Sequence, residues 1–93
     1  MQNTILNTTK SYIDENNIRK KLNYSLLSRS TSIGTVYDIA CKRIAQSTEQ
    51  CQIYKGVTQN YSTAVKIFSI ISRNLVSPEH LICIIDDLYE NFN

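Results

Sequence analysis

The side chains best suited to acid–base or metal chemistry are the carboxylates and the single histidine of residues 77–93. Asp86 and Asp87 are adjacent, and on a helix adjacent side chains diverge by about 100°. Asp86 and Glu90 would share a helix face, but no histidine or cysteine stands at ligand spacing beside them. We therefore interpret this cluster as an exposed helix face and expect neither a metal site nor a catalytic residue there.

Nucleophilic catalysis has equally little support. Each of the three cysteines lies on or beside the apolar stripe of a predicted helix, where a thiol is not activated. No glycine-rich phosphate loop and no CxxC pair occurs. We expect a protein that is not an enzyme and takes no cofactor. The odd cysteine count and the lack of a signal peptide favour the cytosol.

The basic residues are unevenly distributed. Residues 1–76 hold all ten Lys and Arg with four acids, a balance of +6, and residues 77–93 have a balance of −4. This asymmetry indicates either intramolecular pairing or a surface for a partner. Arg19, Lys20 and Lys21 would fan around a helix instead of forming one stripe, so nucleic-acid binding is the weaker interpretation.

The clearest structural pattern is a helical hairpin over Tyr61–Phe92. Two apolar stripes at steps of three and four flank Ser77 and Pro78, which suit an N-cap and a first helical position. The stripes predict helices that pack antiparallel. Their members are Tyr61, Ala64, Val65, Phe68, Ile71 and Leu75, then Leu81, Ile84, Ile85, Leu88, Tyr89 and Phe92.

The rest of the chain is also predicted to be helical. Ile18, Leu22 and Leu26 recur at steps of four, which predicts a helix over 17–29, and a second helix is predicted over 36–54. Residues 3–16 form a separate short helix or the first part of a bent one. Two glycines and one proline favour few, long elements over a turn-rich β fold. The prediction is a single all-α domain over 1–93, an antiparallel four-helix bundle with or without an extra short N-terminal helix.

The segments TVYDIACKRIAQSTEQC and AVKIFSIISRNLVSPEHLICIIDDLY resemble helices two to four of the immunity proteins of pediocin-like bacteriocins. The resemblance spans residues 36–92. It implies a cytosolic four-helix bundle that protects the bacteriocin producer. It also implies a protein partner, the membrane component of a mannose-type phosphotransferase with bound bacteriocin, and leaves peripheral membrane association open. The expected contact residues are His80, Asp87, Glu90, Asn91 and Asn93.

The sequence is also compatible with other interpretations. A small helical interaction module, such as a phage- or plasmid-encoded regulator or inhibitor, fits the same pattern. The chain is also similar to the helical chorismate mutases at Ile13-Asp14 and at Leu26-Leu27-Ser28-Arg29. That resemblance implies further cationic residues at set spacings, and Lys42 matches only approximately. The longest apolar run covers residues 81–85, far short of the roughly twenty residues that span a bilayer.

Overall fold

The chain folds into one antiparallel sheet covered on one side by two helices. The computed structural model describes residues 2–92, with the backbone alone for Phe92. The strands lie side by side in chain order. The elements are β1 (Gln2–Ile13), β2 (Arg19–Thr31), β3 (Gly34–Ala45), β4 (Thr48–Thr58), α1 (Tyr61–Arg73) and α2 (Leu81–Phe92), with a 3-10 turn at Pro78–His80 just before α2.

The predicted all-α four-helix bundle is wrong, because residues 2–58 form strands and turns. A step of four residues is two full repeats of a strand as well as about one turn of a helix. Leu22 and Leu26 therefore fit both patterns. The decisive residue is Tyr24, which is buried between them and completes an alternation of period two along β2. The segments predicted as helices over 3–16, 17–29 and 36–54 fall on β1, β2, and β3 with β4.

Tight turns explain how a β-sheet forms with so little glycine. Ser32 and Ile33 alone connect β2 to β3, since Thr31 pairs directly with Gly34. Only Gln46 and Ser47 separate β3 from β4. Gln46 has φ of 54°, so a non-glycine residue takes the left-handed conformation there. Asn17, at which a helix was predicted to begin, also has positive φ (64°), in the turn between β1 and β2.

The core lies between the sheet and the two helices. Side chains directly opposite one another on paired strands point to the same face, so Tyr24 and Cys41 lie together against the helices. The side chains between the sheet and the helices are fully or almost fully buried. They comprise Leu22, Tyr24, Leu26, Ile39 and Cys41 from the sheet, Ala64, Ile67, Phe68 and Ile71 from α1, and Leu81 and Ile85 from α2.

The two helices lie where the apolar stripes predicted them. Asn60 caps α1, and its side chain accepts a 2.9 Å hydrogen bond from the Thr63 N–H. Pro78 follows the cap position as expected, but the Ser77 hydroxyl bonds to Nδ1 of His80 at 3.0 Å instead of to a backbone N–H. Tyr61 and Leu75, at the ends of the first stripe, are exposed.

The outer face of the sheet is polar. On β1 and β2, Asn7 and Asn23 bond to each other at 3.0 and 3.2 Å, and each also donates to a hydroxyl, of Ser25 or of Thr9. At one end of this face the carboxylate of Asp38 is fully buried. We call the group of Gln2, Arg29, Asp38 and Gly56 the Asp38 junction, because each member comes from a different strand.

Candidate functional site

β4 is an open edge of the sheet within the part of the chain that the structure describes. It pairs with β3 on one side and has no strand on the other. An edge of this kind presents a row of unpaired backbone N–H and C=O groups, which can pair with another extended chain. Pairing with β3 is regular from Thr48 to Tyr54, and an irregularity opposite Asp38 ends it.

Two depressions lie along this edge, where the 3-10 turn and α2 pass beside β4. One has a volume of about 280 Å³ and the other of about 200 Å³. We call the β4 edge with both depressions the edge groove. The first is lined by Gln50, Cys51, Gln52, Pro78 and Glu79, and the second by Ile53, Tyr54, Lys55 and Ile82.

Polar contacts from the sheet hold the helical side of the edge groove. Arg43 on β3 forms an ion pair with Glu79 through Nη1 and Nη2, and Nη2 also donates to the Gln50 side chain. The Tyr54 hydroxyl donates to the carboxylate of Asp86 on α2. These contacts fix α2 and the 3-10 turn relative to β4, so the groove is already formed in the free chain.

The same contacts shift two pKa values. Partial burial acts to raise the pKa of Glu79, but hydrogen bonds from Arg43 and Ser77 outweigh it and hold that pKa below its usual range. The pKa of Tyr54 is raised, chiefly because its hydroxyl donates to the charged Asp86 carboxylate. Among the acids of residues 77–93, Glu79 thus pairs with a base of the sheet, in line with the intramolecular interpretation of the charge asymmetry, whereas Asp86 accepts from a neutral hydroxyl.

Apolar side chains are exposed beside the polar backbone edge. Ile53 on β4 is 37% exposed and Ile82 on α2 is 44% exposed. Both line the smaller depression. Exposed apolar side chains next to an unpaired strand edge are typical of surfaces that bind an extended peptide, since main-chain bonds supply affinity and side-chain pockets supply selectivity.

The thiols differ in reactivity. Burial raises the pKa of Cys41 to about 12, so it is protonated at neutral pH and unreactive. Cys51 and Cys83 are free and exposed. Among residues 2–92, side chains that bind metals form no group of three or more.

The predicted contact residues are spread along the outside of the last helical segment. His80 is exposed in the 3-10 turn, and Asp87, Glu90 and Asn91 are exposed on α2. Asn93 lies outside the described residues. None of the four described residues lines either depression.

The β4 residues of the edge groove were missed because residues 36–54 were interpreted as a helix. A signal was present over residues 50–53, where the polar Gln50 and Gln52 alternate with the apolar Cys51 and Ile53. Alternation of this kind indicates a strand with two different faces. Ile82 was also missed, since it falls outside the apolar stripe of α2.

A meander of four antiparallel strands with a C-terminal helical hairpin on one face defines a small two-layer α+β protein. The chain belongs to a family of unknown function (DUF6514), whose model matches residues 3–91. No curated protein and no solved structure matches it. Neither helix of the described chain is both long and apolar enough to cross a membrane.

Proposed function

We propose that the protein is a protein-interaction module that binds an extended segment of a partner through the edge groove. The observation that carries the proposal is the position of α2 and the 3-10 turn beside the unpaired edge of β4. A partner strand would add to the sheet next to β4 and place alternate side chains in the two depressions. This keeps the interaction-module alternative from the sequence and replaces its helical surface with a sheet edge.

Other surfaces of the molecule are less suited to this role. β1 is the second edge of the sheet, but its pairing with β2 is irregular between Thr4 and Leu6, and the helices pack mainly against the other three strands. On the outer face, Asn7 and Asn23 already bond to each other and to neighbouring hydroxyls. A ligand there would have to displace those bonds, whereas the β4 backbone edge is open.

Selection from a random decapeptide library displayed on phage tests the proposal. The chain is immobilised at low density, and the recovered peptides are compared between the wild type, Ile82→Lys and the control Ile33→Lys. Ile33 is 73% exposed in the turn between β2 and β3, away from the groove. We expect peptides with alternating apolar residues that bind the wild type and Ile33→Lys equally and Ile82→Lys at least about tenfold more weakly. Peptides that bind all three proteins equally would contradict the proposal.

Bacteriocin immunity stays a prediction. One of the three helices on which the resemblance was built is absent, since TVYDIACKRIAQSTEQC lies on β3 and β4, and the other two are α1 and α2. The part we retain is recognition of a protein partner, with the exposed side of α2 next to the edge groove. We place this interaction in the cytosol, where free thiols such as Cys51 and Cys83 stay reduced.

A further inference from the structure

The outward-facing residues of β4 follow an order that is complementary to itself. Glu49, Cys51 and Ile53 share the outer face of the sheet, as their pairing with Ile44, Lys42 and Ala40 shows, and Lys55 follows at the next alternate position. The row thus begins with an acid, continues with two apolar side chains and ends with a base. Reversing its direction exchanges the two charges and leaves the apolar centre in place.

We infer that the strand bound by the edge groove is β4 of a second copy, paired antiparallel about a two-fold axis at Gln52. The inference rests on the proposed function, because it requires the β4 edge to accept a strand. A two-fold interface brings the same patch of both chains together and must be self-complementary. With the axis at Gln52, Glu49 lies opposite Lys55 of the second copy, and Cys51 lies opposite Ile53 of the second copy.

Neighbouring registers lose this complementarity. Every second residue of β4 directs its backbone N–H and C=O groups away from β3, and such a residue must lie opposite one of the same kind in the second copy. The two-fold axis therefore passes through a residue, and the neighbouring axes are those at Cys51 and Ile53. An axis at Cys51 places Glu49 opposite Ile53 of the second copy and leaves Lys55 opposite the turn residue Ser47. An axis at Ile53 places Cys51 opposite Lys55 and Glu49 opposite Val57, which is buried. Only the axis at Gln52 pairs both charges.

The length of the available edge fits the same axis. The residues that pair, 49–55, lie between the turn at Ser47 and the irregularity beside Gly56. Exposed Ile82 borders this stretch and would extend the contact beyond the strands on both sides of the axis. The opposite edge lacks such a pattern, since β1 contains Lys10 but no acidic residue. A pair of β1 strands would therefore have no opposite charges to bring together.

Charge exchange tests the inference directly. Sedimentation equilibrium over a range of protein concentrations measures dimer formation by the wild type, Lys55→Glu, Glu49→Lys and the double variant. Each single change sets like charges opposite one another, which destabilises strand pairing. We expect dimerisation to weaken about tenfold in each single variant and to recover to within about threefold of the wild type in the double variant.

Lys10→Glu on β1 is the matched control and should leave the dimer unchanged. Glu49 also forms an exposed ion pair with Lys42 at 3.7 Å, so Lys55→Glu is the cleaner single change. A wild type that stays monomeric, or a double variant no better than either single one, would overturn the inference. Peptide selection on the monomer would then still decide whether the edge binds other extended segments.

Disulfide trapping identifies the register. Residues directly opposite in antiparallel strands have Cα atoms about 4.5–5.5 Å apart, within the range of a disulfide. In the Cys83→Ser background, Ile53→Cys should give covalent dimers through Cys51 when copper phenanthroline oxidises the thiols. Cys83→Ser alone should give few. Equal cross-linking of both proteins would place Cys51 opposite itself and contradict the axis at Gln52.

Discussion

The carboxylate of Asp38 on β3 accepts a 2.7 Å hydrogen bond from the backbone N–H of Gly56 on β4. This bond closes the irregularity at which β4 stops pairing regularly with β3. Asp38 also accepts from Arg29 at 2.9 Å and from the Gln2 side chain at 3.0 Å. One buried side chain thus joins all four strands and fixes where the open edge of β4 ends.

Replacing Asp38 by asparagine should destabilise the protein by about 2 kcal/mol. The substitution keeps the shape of the side chain but removes the charge that Arg29 faces, and it leaves one buried donor without an acceptor. Arg29 is about a third exposed, so we expect less than the full loss seen for a completely buried pair. Urea unfolding followed by circular dichroism measures the change. Asp87→Asn, at an exposed position, should change the free energy of unfolding by less than about 0.5 kcal/mol.

The Asp38 junction should also make stability depend on pH at the acidic end. Burial acts to raise the pKa of Asp38, but hydrogen bonds from Arg29, Gly56 and Gln2 hold it below the ordinary value of 3.8. Its stabilising contribution is therefore complete above about pH 3.8 and is lost as the pH falls through the lower folded-state value. Unfolding free energies between pH 5 and pH 2 should fall less steeply in Asp38→Asn than in the wild type. Equal slopes would mean that Asp38 does not titrate with folding.

Gly56 should be sensitive to substitution through its backbone alone. Its φ is 68°, and an added Cβ would meet nothing closer than Nη2 of Arg29 at 3.9 Å. Alanine should therefore cost about 1 kcal/mol from the left-handed conformation without a steric clash. Asparagine, which tolerates this conformation better, should cost less than alanine. Thermal unfolding of both variants distinguishes backbone strain from steric crowding. If crowding were the cause, the larger asparagine would lower the unfolding temperature more than alanine does.

A second buried contact holds the connection between the helices. The hydroxyl of Tyr24 on β2 donates a 2.7 Å hydrogen bond to the carbonyl of Val76, and the thiol of Cys41 approaches the same oxygen at 3.4 Å. Tyr24→Phe should cost about 1 kcal/mol, since the weak thiol donor is left as the partner of that carbonyl. Tyr61→Phe, on an exposed ring, is the control. Equal stability of the two variants would show that the Tyr24 hydroxyl contributes nothing.

The sequence allowed the helical hairpin to be predicted but not the sheet. In α1 and α2 the apolar residues recur at steps of three and four together, and a step of three cannot occur on one face of a strand. Leu22 and Leu26 on β2 do not distinguish a helix from a strand, because a step of four residues keeps two side chains on one face of either structure. Glycine content was misleading as well, since Gln46 and Asn17 adopt positive φ in two of the turns.

The candidate site could be predicted only if residues 48–58 were recognised as a strand and not as a helix. An edge groove exists only if residues 48–58 are a strand at the border of a sheet, and local pattern does not say which strand has no neighbour. The contacts of Arg43 with Glu79 and of Tyr54 with Asp86 join residues more than thirty positions apart. Such pairings follow from the topology of the sheet, whereas the exposure of Asp87 and Glu90 could be predicted from the helix pattern alone.

The most direct test of the edge groove is amide chemical-shift mapping by NMR, with the selected decapeptides titrated into ¹⁵N-labelled protein. If the edge groove binds the peptides, the largest shifts occur at residues 49–55 of β4 and at Ile82, with slower amide exchange along the newly paired edge. Shifts concentrated on β1, on the outer face around Asn7 and Asn23, or on the turn at Ile33 would contradict binding at the edge groove.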